Sequence, residues 1–355
     1  MNSLQWRYEG PSLRNLGRYY QSEERQARMF TFSGSGFEVG FYGTTLSARL
    51  IATECGRPQG EAAIAVLVDE QPFENSRKIT LDKPDSLYIL AAGLTKGRHR
   101  VRVYKRTESA CSLTGWKSIM TDGEFTSLEP SEGIKIEIYG DSITAGNGVE
   151  GVRGDDNFET RTENAILSYG ALSAEKLQAD FSLVCIGGYP IYKSPWNKGA
   201  SIESIPQMFS FADCTWSTKK ENAIPWDHKR FRPDIVVISL GTNDDQYLLP
   251  LAEPERTAEC RHFVKATKDF IDLNRKTYEG VKVIVAIGMI PVRLVTDLLK
   301  EAVASYPQGV YFLEFDSLKE GGYMPNGGHP NRKMHAEAAE ELTALIKKIS
   351  LAAKG

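Results

Sequence analysis

Histidine is scarce in this chain: there are five in 355 residues, none in an Asp-x-His pattern. A two-metal hydrolase draws on several histidines and carboxylates at set spacing, so that chemistry has few ligands here. The five cysteines (Cys55, Cys111, Cys185, Cys214 and Cys260) are scattered, with no Cys-x-x-Cys pair to hold zinc. Their odd number speaks against a complete disulfide framework. Neither charge dominates: 43 Lys and Arg face 46 Asp and Glu, a net charge of −3. There is thus no electrostatic case for binding nucleic acid or an anionic membrane. No apolar run approaches the ~18 residues of a membrane helix. The opening MNSLQWRYEG lacks the hydrophobic region of a signal peptide, which is expected to be absent or already removed. Repeats and low-complexity tracts are missing too.

What is present is ordinary globular composition, 41% hydrophobic and 25% charged, at a length that exceeds one typical core. Two domains are expected. Up to about residue 125 the chain reads as all-β. In GFEVGFYG, Phe37, Val39 and Phe41 alternate with Glu38, Gly40 and Tyr42, and SARLIAT, AAIAVLVDE, SLYILAAGL and HRVRVYK follow, separated by turn residues. Short strands at that spacing predict a β-sandwich. TSLEPSEG (126–133) reads as a linker, because the hydrophobic period changes after it.

From residue 134 strands alternate with helices. IKIEIYG, FSLVCIGG, DIVVISLG, KVIVAIGMI and VYFLEF are nearly continuous apolar runs, as strands covered on both faces should be. Phe263, Thr267, Phe270 and Ile271 mark one helix face; Met334, Ala338, Leu342, Leu345 and Ile349 mark another. The alternation predicts a parallel sheet between helix layers, an α/β/α arrangement. Ligands of such sheets bind at the carboxyl ends of the strands. Those exits are Gly140-Asp141-Ser142, Gly187-Gly188 and Gly241-Thr242-Asn243-Asp244, and Gly327-Gly328-His329-Pro330 precedes the last helix.

A serine, glycine amides, an asparagine and a histidine at one sheet edge suit acyl transfer. A serine hydroxyl attacks only when a base accepts its proton, and imidazole titrates in the right range. The oxyanion then formed needs preset donors, for which the Ser142 N–H, a glycine N–H at 187 or 188 and the Asn243 amide are candidates. Asp141 is expected to hold the turn through backbone hydrogen bonds. Asp244 and Asp245 are expected to cap the segment after the third strand.

YGDSIT, the second-strand glycines, LGTND and HPN stand in the order of the blocks of the SGNH (GDSL-type) hydrolases, which the chain resembles from about 134 to 350. NLGRYY, GFEVGFYGTTLSARL, VDEQP, GLTKGRHRVRVYKRTES and WDHKRFRPDIVVISLGTND resemble the second family of carbohydrate esterases. That resemblance implies a jelly-roll sandwich (1–128) joined to an SGNH domain (129–355), removal of acetyl groups from plant polysaccharides, no cofactor or metal, and secretion or a periplasmic location. It implies Ser142 as nucleophile, His329 as base and Asn243 as oxyanion donor. The chain departs from the family in two places. Cys185-Ile186-Gly187-Gly188 replaces Ser-Gly-x-Gly, so either glycine can be the donor. Asn326-Gly327-Gly328-His329 replaces Asp-x-x-His and puts Gly328 where an aromatic residue often stands. A Ser–His dyad is then expected, with the triad using Asn326 as the alternative.

The remaining histidines have duller explanations. His99 falls in a sandwich strand, His262 on an amphipathic helix, His335 in the last helix, and His228 before the third strand at its wrong end. The long segment 188–232 holds Tyr189, Tyr192, Trp196, Phe209, Phe211, Trp216 and Trp226. Segments of this length are often binding loops, although most aromatics are core; Tyr192 and Trp196 are the candidates for sugar contact. Two other readings use the same exits: a carbohydrate-binding protein with an inactive hydrolase domain, and a metal-dependent phosphoesterase through Asp141, Asn243 and His329.

Overall fold

The computed structural model describes residues 4–7, 13–54, 60–154, 157–215, 218–316, 324–325 and 327–352. Its first strands are β1 (Leu4–Arg7), β2 (Arg14–Leu16), β3 (Tyr20–Ser22), β4 (Ala27–Met29), β5 (Gly36–Gly43) and β6 (Leu46–Glu54). Then come β7 (Ala62–Val68), β8 (Arg77–Leu81), β9 (Asp85–Ala91), β10 (Gly97–Lys105), β11 (Ser112–Thr121) and β12 (Glu124–Thr126). They form two antiparallel sheets, ordered β3-β4-β11-β6-β9 and β12-β5-β10-β7-β8, with β1 beside β11 and β2 beside β5. Alternation explains the sandwich. Phe37, Val39, Phe41, Ile64, Val66, Val101 and Val103 of one sheet meet Leu46, Ala48, Leu50, Trp116 and Ile119 of the other in one core.

The second half supplies β13 (Lys135–Gly140), α1 (Tyr169–Lys176), β14 (Asp180–Cys185), α2 (Ile205–Met208), β15 (Ile235–Ser239), α3 (Thr242–Leu248) and α4 (Glu255–Thr277). It ends with β16 (Lys282–Ile287), α5 (Val295–Ala304), β17 (Val310–Glu314) and α6 (Arg332–Ala352). Five parallel strands pair in the order β14-β13-β15-β16-β17. Ile136, Ile138, Val237 and Ile284 pack toward α1 and α6. Their neighbours Tyr139, Val236, Ile238, Val283 and Val285 pack toward α2, α4 and α5. Both faces are covered, which is why these strands read as unbroken apolar runs. The order reverses between β13 and β15, the switch point at whose carboxyl edge ligands of such sheets bind.

The two halves share a core. On β7, Ile64 and Val66 face the sandwich interior, but Ala65 and Leu67 point the other way and join Ile138, Phe181 and Leu183. Phe73 and Tyr104 pack on Phe181, with the Tyr104 and Phe181 rings stacked at 5.6 Å. AAIAVLV is therefore apolar at every position because the second half covers its outer face. The loop Lys105–Ser112 between β10 and β11 is buried throughout, whereas loops ordinarily run over the surface.

A second junction is charged. Arg18, fully buried, donates to Glu137 Oε1 of β13 (3.1 Å), the Tyr139 hydroxyl (3.0 Å) and the carbonyls of Phe209 (2.8 Å) and Phe211 (2.7 Å). Glu137 in turn accepts from Tyr139 (2.6 Å), Tyr278 (3.0 Å) and Ser182 (3.1 Å). Burial works against both charges, but Glu137 holds the Arg18 guanidinium above its usual value and Arg18 holds Glu137 below its own.

Candidate active site

Ser142 lies two residues past β13. A Cβ on Gly140 would fall 1.9 Å from Thr144 Oγ1, so only glycine lets the turn fold back under the strand end. Asp141 shapes that turn as expected: one carboxylate oxygen accepts the Ile143 N–H (3.0 Å) and the other accepts from Asn243 Nδ2 (3.2 Å). Burial pushes the Asp141 carboxyl up to about 7, with Asp244 and Glu108 adding negative charge.

His329 arrives from the far end of the chain. Asn331 Oδ1 accepts the Met334 N–H at 3.1 Å and so caps α6, which fixes the residues just before it. The His329 N–H donates to the Pro325 carbonyl at 2.8 Å. His329 Nε2 then stands 2.8 Å from Ser142 Oγ, across 187 residues of sequence. Ser142 is nearly buried and His329 half-buried. Asn326 lies outside the described residues.

Asn243 opens α3 and is also nearly buried; its Nδ2 is shared between Asp141 Oδ2 and the Tyr189 carbonyl, both at 3.2 Å. The two glycines differ. Gly187 is buried, and its N–H donates to Glu108 Oε2 at 2.6 Å. Gly188, with φ of +83°, is the partly exposed member of the pair. Gly187 as an oxyanion donor is thus corrected: its amide hydrogen points at a carboxylate of the sandwich loop.

Asp244 and Asp245 do not cap their own helix, another correction. The first α3 residue follows Gly241 with no side-chain cap. Asp244 reaches across to the N–H groups of Ile191 (3.0 Å), Tyr192 (2.8 Å) and Lys193 (3.1 Å), pinning the start of the long 188–232 segment. Burial pushes its carboxyl up to about 7, against the pull of those donors. Asp245 accepts from the backbone of Arg293, Leu294 and Val295 at the head of α5.

Along that segment Tyr189, Phe209 and Trp226 are core, and Trp216 lies outside the described residues. Tyr192 is half-buried, its hydroxyl 3.4 Å from His262 Nδ1. Trp196 is 59% exposed, and its indole N–H donates to Gln246 at 3.0 Å, which holds an apolar face outward. His262 is on the surface, His99 pairs with Asp69 at 3.0 Å, and His228 meets Tyr278 beside the Arg18 network. His335 is buried, and its Nδ1 accepts the Tyr169 N–H. Among the described residues, no group of three or more His, Cys, Asp or Glu could hold a metal ion, and no helix is long and apolar enough to cross a membrane.

Two residues escaped the sequence reading, Arg18 and Glu108. Each is a charged side chain in the sandwich half that is buried against the other half, and nothing in a local pattern marks such a position.

Residues 16–130 match the carbohydrate esterase 2 N-terminal model, and residues 138–349 match the GDSL-like lipase/acylhydrolase family. The chain is 27% identical to a cellulase/esterase CelE of Acetivibrio thermocellus over 96% of its own length and 40% of that relative. It is 26% identical to an acetylxylan esterase / glucomannan deacetylase of Cellvibrio japonicus, over 96% of this chain and 89% of that one. Among solved structures, a family two carbohydrate esterase from Clostridium thermocellum in complex with cellohexaose superimposes with a TM-score of 0.80 at 26% identity, covering 95% of this chain and 98% of that one. An acetyl xylan esterase from Butyrivibrio proteoclasticus shares the fold, with a TM-score of 0.83 at 20% identity over 97% of this chain and 98% of that one. The chain belongs to the GDSL-like lipase/acylhydrolase family, with a carbohydrate esterase 2 N-terminal domain ahead of the hydrolase fold.

Proposed function

We propose that this protein is a serine esterase that removes O-acetyl groups from acetylated polysaccharides or oligosaccharides. The observation that carries the proposal is the 2.8 Å approach of His329 Nε2 to Ser142 Oγ at the switch point of the sheet. The relatives named for acetylxylan and glucomannan deacetylation support the substrate class. A jelly-roll sandwich over 1–128, a catalytic domain over 129–355 and an extracellular setting belong to the same reading.

In the first half-reaction Ser142 Oγ attacks the acetyl carbonyl carbon while His329 Nε2 takes the hydroxyl proton. The Ser142 and Gly188 N–H groups and the Asn243 amide receive the oxyanion, which displaces one of the two long bonds at Asn243 Nδ2. The bond from the carbonyl carbon to the sugar oxygen breaks, and His329 returns the proton to that oxygen. Water, deprotonated by His329, then attacks the acyl-enzyme and releases acetate with Ser142 restored. His329 works as a dyad with Ser142, its ring oriented by backbone. Tyr192 and Trp196 are the sugar platform, since a pinned, exposed indole stacks on a pyranose face at little entropic cost.

Ser142→Ala is expected to abolish hydrolysis of 4-nitrophenyl acetate and acetate release from acetylated xylan and glucomannan, with an unchanged melting temperature. Organophosphonate labelling of Ser142 separates an esterase from a binding protein with an inactive hydrolase domain, because only an activated serine reacts. Retained turnover in the alanine variant sinks the assignment.

A further inference from the structure

The buried loop Lys105–Ser112 carries a carboxylate to the nucleophile's turn. Glu108 Oε2 accepts the Gly187 N–H at 2.6 Å, a short bond. A Cβ placed on Gly187 would lie 3.1 and 3.2 Å from the Glu108 carboxylate oxygens and 3.3 Å from Ser142 Cβ. Gly187 is therefore held between Glu108 on one side and Ser142 on the other, and a side chain there would need one of them to give by a few tenths of an ångström.

Glu108 is itself held. Its N–H donates to Glu163 Oε1 at 2.9 Å, and Lys105 Nζ donates to the carbonyls of Thr107 (2.8 Å) and Glu108 (2.9 Å). Arg106 pairs with Glu150, and its carbonyl accepts the Ala165 N–H at 3.0 Å. Burial first, then Glu108, pushes the Glu163 carboxyl well up.

We propose that Glu108, a residue of the sandwich half, is a positioning residue for acyl transfer: by accepting the Gly187 N–H it sets the Gly187–Gly188 turn so that the Gly188 N–H faces Ser142 and serves as the backbone oxyanion donor. Successive peptide planes are coupled through one pair of soft dihedrals. Anchoring the Gly187 amide on Glu108 consequently restricts the amide that follows. Gly188 is the freest residue type at φ of +83°, so it depends most on such an anchor. The sandwich then contributes to turnover as well as to stability.

The inference rests on the esterase reading, and Ser142→Ala, assayed beside it, keeps the two apart. Glu108→Ala in the full chain is expected to lower kcat for 4-nitrophenyl acetate by about 10²-fold, the usual result of a misplacement near 1 Å, with KM within twofold. Glu108→Gln keeps an acceptor oxygen and is expected to stay within about fivefold of the parent. In the glutamine variant the ¹⁵N-glycine-labelled Gly187 amide proton should move upfield as the short bond to the carboxyl oxygen gives way to a longer one to an amide oxygen. That signal and the glutamine kcat carry the test if the alanine variant does not fold. A loss below about tenfold in a folded alanine variant, a change confined to KM, or a glutamine variant more than fivefold slower each overturns the role. If Ser142→Ala is dead in the same assays, the esterase reading survives any of these outcomes.

Discussion

The sandwich half buries charged side chains against the hydrolase half at two places, and Arg18 at one and Glu108 at the other are held by opposite means. Arg18 meets a full counter-charge in Glu137, and hydroxyls and carbonyls occupy the remaining donors and acceptors. Glu108 meets a backbone N–H, in company with Glu163 and near Asp141. A neutralised pair is insensitive to small shifts and lends itself to structure. A carboxylate that takes a peptide N–H fixes where that peptide group points, which is a geometric task. The same domain boundary thus carries a structural junction below the sheet and a chemical one at its carboxyl edge.

The largest effect is expected at the structural junction. Arg18→Met strands Glu137 without its partner and should cost about 3–5 kcal/mol in denaturant unfolding, while kcat of the folded fraction stays within about threefold. A kcat collapse in folded protein would erase the distinction between the two places. At the chemical edge, Asn243→Ala should lower kcat by about 10²–10³, or roughly 2.7–4 kcal/mol of transition-state stabilisation, with little change in melting temperature. An effect confined to KM would make Asn243 a substrate contact instead.

His335 is a third way to bury a titratable group, with neither counter-charge nor carboxylate. Burial, then the nearby His329, pushes its imidazole down from 6.5 to about 3. The unfolded chain therefore binds a proton that the folded one refuses, and stability falls as pH drops from about 6.5 toward about 3, by up to ~1.4 kcal/mol per unit. His335→Gln can still accept the Tyr169 N–H but has no such slope. Its stability deficit at neutral pH should narrow by about 2 kcal/mol by pH 5 in chemical denaturation. A constant deficit would mean that His335 is protonated in the fold. The smallest effect is expected for Asn326→Ala, with kcat/KM within about tenfold of the parent, under ~1.4 kcal/mol. A hundredfold loss with intact circular dichroism would make Asn326 the third triad member.

Much of this was legible in the sequence, for reasons that are local. Ile136, Ile138 and the runs after them announce strands covered on both faces, and the alternation in GFEVGFYG announces a sandwich strand. A parallel sheet places its exits at one edge, so Ser142, Asn243 and His329 could be grouped before their distances were known. Those features depend on period and on turn chemistry, which neighbouring residues carry. The contacts of Arg18, Glu108, Asp244 and Asp245 depend on segments dozens of residues away. A buried charge and a solvated one have the same letter, and only packing decides which it is. The sequence by itself determined the two architectures, the strand exits and the grouping of Ser142 with His329. The tertiary structure decided that the Gly187 amide is taken by Glu108 of the sandwich loop, because a hydrogen bond across a domain boundary leaves no trace in either segment's pattern.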